Sequence, residues 1–312
     1  MNLRIALFSN PIKNLNPKKD TSLLLCQEAQ DRGCQLYHFT PESLFLDGVE
    51  PKALGNSINL NIEEVDYYNT GDKEILNLID FDVILIRHNP PFDEQYITAT
   101  YLMEKVAHKV FFANHPTTIR TLDGKVYIID FPDFITPTLI GENLESLEYF
   151  YKKHNDIILK PLNAFGGQGI TRIRPEEENL EDIFNTFKES FPHSYMVQKY
   201  IPEAVIGDKR IILFDGEPVS AILRVPSDPD KPANISLGAS VEPANLTKRE
   251  EELCKILGPQ LREKGLFFVG VDMLGDYLTE INMISPGTIL SANKAHNINL
   301  EKIFWDKLEQ KI

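Results

Sequence analysis

Lys160-Pro161-Leu162-Asn163-Ala164-Phe165-Gly166-Gly167-Gln168-Gly169 sets a lysine at the end of the apolar run Asp156–Pro161 and follows it with a glycine-rich turn. Glycines at such a place let backbone N–H groups come close to an anion and cradle it, and the lysine adds a fixed positive charge. No Gly-Lys-Ser/Thr follows, so this is not a Walker loop. Nor does it sit at the first strand–helix turn with dinucleotide-binding spacing. A flexible hairpin with a lysine beside it by chance is the alternative.

Gly270–Asn282 (GVDMLGDYLTEIN) reads as a hairpin turning at Gly275-Asp276. Glu280 and Asn282 are two apart on one strand, so their side chains point to the same face. If Asp272 on the partner strand faces that way too, three oxygen ligands converge. Such a set suits Mg²⁺, which takes one or two carboxylates and completes its shell with phosphate oxygens and water. Carboxylates on a strand otherwise built of Phe, Val, Leu and Ile call for a compensating charge, unless this is simply a solvated polar face.

Three arginines stand at strand ends: Arg87 closes VILIR, Arg210 opens RIILF and Arg224 ends AILR. The planar guanidinium fork matches carboxylates and phosphates, so together they could form a pocket for an anionic, peptide-like substrate. Singly, each is also an ordinary solvated arginine. No GxSxG, no HExxH and no cysteine beside a suitable histidine is present, so no nucleophile-and-base chemistry is read. The histidines at 38, 88, 108, 115, 154, 193 and 296 are scattered and receive no catalytic role.

The elements that must carry these groups follow from periodicity. Leu3–Ser9 and Gln35–Phe39 read as strands flanking a helix at Lys19–Arg32 that stops at Gly33, a βαβ opening. Asp47-Gly48 signals a hairpin. Ile79–Arg87 and Val110–Asn114 are further strands around a helix at Asp93–His108. After residue 122 the pattern changes to strands at Asp133–Ile140, Asp156–Pro161 and Tyr195–Ile201, with helices at Asn143–His154 and Leu180–Phe191. A hairpin turning at Asp215-Gly216, a proline-rich loop at Pro226–Pro243, a helix at Thr247–Lys264 and a last helix at Leu300–Lys311 complete the pass. The fold class is α/β and α+β: an open α/β lobe over 1–122 and two α+β lobes over 123–200 and 201–312.

Composition limits the partners. The chain has 312 residues, 42% hydrophobic and 25% charged, enough for several packed lobes and unlike a disordered chain. Its net charge of −14 argues against nucleic-acid binding, which needs clustered Lys and Arg. No apolar run reaches the length of a membrane span, and the N-terminus has no signal-peptide layout, so a cytoplasmic protein is expected. Cys26, Cys34 and Cys254 form no CxxC pair, and Cys26 reads as a small buried hydrophobe.

Taken in order, SNPIKNLNPKKDTS, ILIRHNPPFDEQYITATYLME, ILKPLNAFGGQGI, VQKYIPE, GDKRIILFDGEPV, LREKGLFFVGVDMLGD and LTEINMISP resemble segments of the prokaryotic glutathione synthetases of the ATP-grasp superfamily. The likeness runs nearly end to end. It implies an ATP-grasp fold in which 1–122 is the pre-ATP-grasp lobe, 123–200 the central lid lobe and 201–312 the lobe with the metal and substrate site. It also implies a carboxylate–amine ligase that activates γ-glutamylcysteine with ATP as an acyl phosphate and joins it to glycine. By the same resemblance Lys125, Lys160, Gly166, Gly167, Gln198, Lys199, Tyr200, Ile201 and Asp208 would hold ATP. Asp272, Glu280 and Asn282 would hold Mg²⁺, or Mn²⁺ in its place. Arg210 would be catalytic, and Arg87, Arg224 and Asn234 would bind substrate. The partners implied are an anionic peptide-like acid, an amino acid and further copies of the chain, with no nucleic acid and no membrane.

The chain departs from the family pattern in three places. Where members usually carry Arg-Gly-Asn-Leu-Ala-Ala-Gly-Gly, it has Pro232-Ala233-Asn234-Ile235-Ser236-Leu237-Gly238-Ala239. Ser285-Pro286 is followed by Gly287-Thr288-Ile289-Leu290-Ser291 in place of a stretch with Thr and Ile-Arg-Glu. Gly124 replaces the glutamate that commonly precedes the lysine. Two other readings therefore stand beside the first: a paralogous ligase joining a different acid and amine, and a non-catalytic nucleotide-binding relative. Retention of all three metal ligands counts against the second.

Overall fold

The structure is a computed structural model, and it describes residues 2–228, 235 and 238–312. The first third runs β1 (Arg4–Phe8), α1 (Thr21–Asp31), β2 (Gln35–Phe39), β3 (Leu44–Asp47), β4 (Glu50–Leu60), β5 (Tyr68–Asn77), β6 (Val83–Ile86), α2 (Glu94–Glu104), β7 (Phe111–Ala113) and α3 (Pro116–Thr121). Its sheet has the order β3-β4-β2-β1-β6-β7, with β5 on the edge of β4. β2, β1, β6 and β7 are parallel, and β3, β4 and β5 join antiparallel. The chain leaves β1 for β2 on one side and later returns to β6 on the other. The strand order thus reverses between β1 and β6, and ligands in open α/β sheets settle in the crevice at the carboxyl ends of such a pair.

The middle of the chain folds as β8 (Thr138–Gly141), α4 (Leu144–His154), β9 (Ile157–Pro161), β10 (Thr171–Ile173), α5 (Leu180–Ser190) and β11 (Tyr195–Lys199). Its antiparallel sheet has the order β10-β9-β11-β8. The rest comprises β12 (Asp208–Phe214), β13 (Glu217–Val225), β14 (Ser240–Ala244), α6 (Lys248–Glu263), β15 (Phe268–Leu274), β16 (Tyr277–Asn282), α7 (Ile289–His296) and α8 (Leu300–Leu308). That sheet is antiparallel, ordered β14-β13-β12-β15-β16.

Local chemistry sets the helix ends. Asp20 caps α1 by accepting from the N–H groups of Ser22 at 2.7 Å and Leu23 at 3.0 Å. Thr247 and Glu250 cap α6 reciprocally, and Glu250, almost fully buried, is paired with Lys209 Nζ at 2.8 Å. Leu23, Leu25, Cys26 and Ala29 of α1 bury against the parallel sheet and against α8. There Trp305 is fully buried and its indole N–H donates to the Leu25 carbonyl at 2.8 Å. Phe304 meets Phe214, Phe267 and Phe268 in near-perpendicular ring contacts, so α8 joins the first sheet to the third.

Several elements differ from the sequence reading. The long β4–β5 hairpin, β10, α3 and α7 were not read. β14 occupies the end of the segment taken as a proline-rich loop, and Pro243 is tolerated there because β14 is an edge strand. The strand expected at Asp133–Ile140 is confined to Thr138–Gly141, after a 3-10 turn at Pro132–Phe134.

Candidate active site

A cavity of about 580 Å³ lies between the second and third sheets. From the second sheet it takes Lys160, the glycine turn and Gln198–Ile201; from the third, Asp208, Asp272, Thr279 and Glu280; Lys125 joins them. Its volume falls in the usual range for small-molecule sites.

The third sheet supplies the acidic floor. Asp272 is registered opposite Glu280, and Gly270 opposite Asn282, so Asp272, Glu280 and Asn282 share one face. On the other side Asp272 is registered opposite Arg210, and Asp208 opposite Arg224. The Asp272 carboxylate accepts from both Nε and Nη2 of Arg210, the latter at 2.7 Å. It also lies 3.0 Å from Arg224 Nη2 and accepts from Asn282 Nδ2 at 3.1 Å. Arg224 in turn forks onto Asp208, with both hydrogen bonds at 2.6 Å. Burial pushes the Asp272 carboxyl up, but the charges of Arg210 and Arg224 outweigh it and hold it below the usual carboxylate range. Burial dominates at Asp208 and raises it.

The second sheet supplies cations and a backbone cradle. Lys160 is buried, and desolvation pulls its ammonium down to about 8, against the opposing pull of Glu280. Lys125 Nζ donates to the carbonyls of Leu162 at 3.1 Å and Ala164 at 2.8 Å, and stands 3.2 Å from Glu280 Oε1. It therefore ties the neck of the glycine turn to the acidic floor. Gly166 and Gly167 have φ of 68° and 81°, a left-handed pair that side chains would strain. Gly124 is pressed against β16: its carbonyl accepts from Ile281 N at 3.0 Å, and a Cβ there would run into the Ile281 carbonyl oxygen. Buried Gln198 donates to Thr138 Oγ1 at 2.9 Å, and Ile201 is buried beside it, whereas the Lys199 side chain is exposed.

The structure thus gathers Lys125, Lys160, Gly166, Gly167, Gln198, Lys199, Tyr200, Ile201, Asp208, Asp272 and Glu280 around one cavity. Arg210 and Arg224 stand behind that lining, engaged with Asp272 and Asp208. Arg87 is elsewhere, at the end of β6 over the Phe268 ring. Asn234 lies outside the described residues. Not read from the sequence was Arg172, whose guanidinium stacks 3.4 Å from the Tyr200 ring centroid while its fork holds Asp156 at 2.9 and 2.7 Å. The alternation in Thr171-Arg172-Ile173 was its one signal. Thr279 was also missed. It reaches the cavity because a register irregularity after Asp272 shifts β16 by one residue.

Two carboxylates and an amide on one sheet face form a hard oxygen donor set, suited to a divalent ion that also binds phosphate. Among the described residues no group of three or more His, Cys, Asp or Glu side chains is arranged to hold a metal ion.

Family models match along nearly the whole chain: the N-terminal domain of prokaryotic glutathione synthetase over residues 3–120 and its ATP-grasp domain over 124–297. The chain belongs to the prokaryotic glutathione synthetase family. The glutathione synthetase of Mesorhizobium japonicum is 39% identical over 311 residues, covering 100% of this chain and 99% of the relative. That of Escherichia coli strain K12 is 36% identical over 312 residues, covering 99% of each. Among solved structures, D-cycloserine synthetase superposes with a TM-score of 0.68 over 98% of this chain and 99% of that one at 15% identity, a likeness of fold. Membership makes the chain an ATP-dependent carbon–nitrogen ligase of ATP-grasp fold that works with a divalent metal ion. No helix among the described residues is long and apolar enough to cross a membrane.

Proposed function

We propose that the protein joins γ-glutamylcysteine to glycine, with Mg²⁺ or Mn²⁺ as its metal and the residues above in the following roles. The observation that carries this reading is the single cavity where two lysines and a glycine turn face a strand-borne carboxylate pair. Lys125, Lys160 and the N–H groups at Gly166 and Gly167 hold the ATP phosphates, while Gln198–Ile201 and Asp208 line the base and sugar end. Asp272, Glu280 and Asn282 would hold the metal, which neutralises phosphate charge when bound. The acid's carboxylate oxygen attacks the γ-phosphorus, the bond to the β-phosphate oxygen breaks, and ADP leaves. Glycine's neutral amine then attacks the acyl carbon, and phosphate departs as the tetrahedral intermediate collapses. Arg210 and Arg224, behind the acidic floor and engaged with Asp272 and Asp208, would steady the charge on the reacting carboxyl. Positioning and electrostatics supply the rate, as in other phosphoryl transfers.

The division into lobes at 1–122, 123–200 and 201–312 belongs to the same proposal, as does a cytoplasmic homo-oligomer. Three buried free cysteines favour a reducing compartment. The outward-facing, register-paired Leu54 and Ile75 on the β4–β5 hairpin favour a contact between copies.

The test measures ADP release and peptide formation side by side. One-to-one coupling with γ-glutamylcysteine and glycine is expected. ADP without peptide, or peptide only with another amine, would instead favour the paralogous ligase, whose motivation is the altered sequence at 232–239 and 287–291.

A further inference from the structure

Strand alternation carries Arg172 into the cavity. Its neighbour Ile173 is buried in the core that the second sheet makes with α4 and α5, so Arg172 points to the other face, where it lines the cavity. It is registered opposite Ile158 on β9, and Ile158 opposite Gln198 on β11. Arg172, Ile158 and Gln198 therefore form one row across the cavity face of the sheet. Lys160 stands two residues further along β9, about 7 Å from that row. Phosphates held at Lys160 would bring the base of a nucleotide over Ile158, with Gln198 on one side and Arg172 on the other.

The Arg172 side chain is fixed twice. Its Nε and Nη2 donate to the two carboxylate oxygens of Asp156 at 2.9 and 2.7 Å. Its guanidinium carbon lies 3.4 Å from the Tyr200 ring centroid. Asp156 closes the triangle, because its backbone carbonyl accepts from the Tyr200 N–H at 2.9 Å.

Folding alone gains little from this triangle. The Arg172 and Asp156 side chains are 29% and 28% exposed, and an ion pair so placed contributes little to stability. What the triangle provides is a flat cation held rigid before a ligand arrives, which lowers the ordering cost of binding against it. Nε and Nη2 are committed to Asp156 and one face lies on Tyr200, so the guanidinium turns its plane rather than its donor fork to the cavity. A guanidinium is planar and weakly hydrated, and it stacks on aromatic rings.

We infer that Arg172 stacks on the nucleobase, so that the Tyr200 ring, the guanidinium and the base form three layers. Asp156 is the positioning residue that holds the middle layer flat. The inference rests on the ligase reading, since it takes the nucleotide to lie in this cavity with its phosphates at Lys160. It assigns base affinity to a side chain apart from the groups that hold phosphate or metal.

The test is calorimetric binding of a non-hydrolysable ATP analogue and, in parallel, of inorganic tripolyphosphate to the full chain with Mg²⁺. Tripolyphosphate carries neither base nor sugar, so it reports the phosphate end alone. Arg172→Gln should weaken the ATP analogue roughly three- to thirtyfold, the range for a cation–π contact, and leave tripolyphosphate affinity within about twofold. The free variant should melt within a few degrees of the unsubstituted protein, as loss of a half-exposed ion pair allows. Arg172→Lys should recover little, because it keeps a point charge and loses the plane. Tyr200→Leu should remove part of the same affinity, and its loss should not add to that of Arg172→Gln, because both break one stack. An Arg172→Gln protein that binds the analogue like the unsubstituted one would overturn the stack while the ligase reading stands. Equal losses of analogue and tripolyphosphate with a lowered melting temperature would do the same, reducing Arg172 to a support of the fold. If the unsubstituted protein does not bind the ATP analogue, the nucleotide placement falls and the stack with it.

Discussion

Lys160 offers a test of the cavity that needs no turnover. Its ammonium is buried, and its pKa in the free protein is pulled down to about 8 because desolvation outweighs Glu280. Triphosphate beside it would favour the charged form and restore a value near the ordinary lysine figure of about 10.4. Binding then takes up a proton wherever the free protein has lost one. At pH 7 Lys160 is already charged and uptake is small. At pH 9 only about a tenth of the free protein carries the charge, so nucleotide affinity should fall roughly tenfold between these values. Calorimetry of an ATP analogue in two buffers of different ionisation enthalpy should show uptake rising toward one proton near pH 9. Lys160→Gln should bind weakly at every pH with no uptake from this group, and Lys160→Arg should bind without the decline. The same shift makes stability rise with pH between about 8 and 10, as the buried charge is discharged in the folded state before the unfolded one. A flat affinity profile and no proton uptake in the unsubstituted protein would refute the placement of Lys160 against the phosphates.

Three further outcomes are expected. Glu280→Gln should abolish metal-dependent ADP release yet leave the melting temperature of the free protein within a few degrees, since Glu280 is partly exposed; normal turnover would count against the metal assignment. Asp272→Asn should cost about 3–5 kcal/mol in denaturant unfolding, because it leaves Arg210 and Arg224 buried around a neutral group; a loss below 1 kcal/mol would show that the arginines find other partners. Gly124→Glu, which restores the residue usual in the family, should lower both stability and ATP affinity, since a side chain there must push β16 and Lys125 apart; unchanged affinity would mean the strand gives way freely.

What the sequence makes legible is local periodicity and spacing. Glu280 and Asn282, two apart, could be placed on one face without coordinates; the side taken by Asp272 was left open, and the register puts it opposite Glu280. The helix read at Lys19–Arg32 stops before Gly33 as α1 does, though its start falls ahead of the Asp20 cap, and that read at Thr247–Lys264 matches α6. What it leaves hidden depends on pairing between distant segments. That Arg210 closes on Asp272 follows from segments 62 residues apart lying in one register, and Arg224 joins them from the next strand, which no short window reveals. The β4–β5 hairpin was missed because an edge strand exposes most of its side chains, so Tyr68–Asn77 lacks the apolar alternation by which strands are recognised. Arg87 was singled out, but the stacking of Arg172 on Tyr200 is a property of packing alone.

The way α8 closes on α1 has a consequence for biosynthesis. Residues 300–308 fill the core beneath Leu23, Leu25 and Cys26, and Arg32 reaches across to Asp306 and Glu309. As a ribosome produces the chain, the first sheet can pair its strands early, but one wall of its core stays open until about residue 308 has left the exit tunnel. At ordinary elongation rates of about 5–20 residues per second that interval lasts on the order of 10–60 seconds. During it the apolar side of α1 is available to chaperones or to other nascent copies. A chain truncated near residue 295 should therefore be bound by holdase chaperones and cut easily by protease within residues 20–35, and the full chain should show neither.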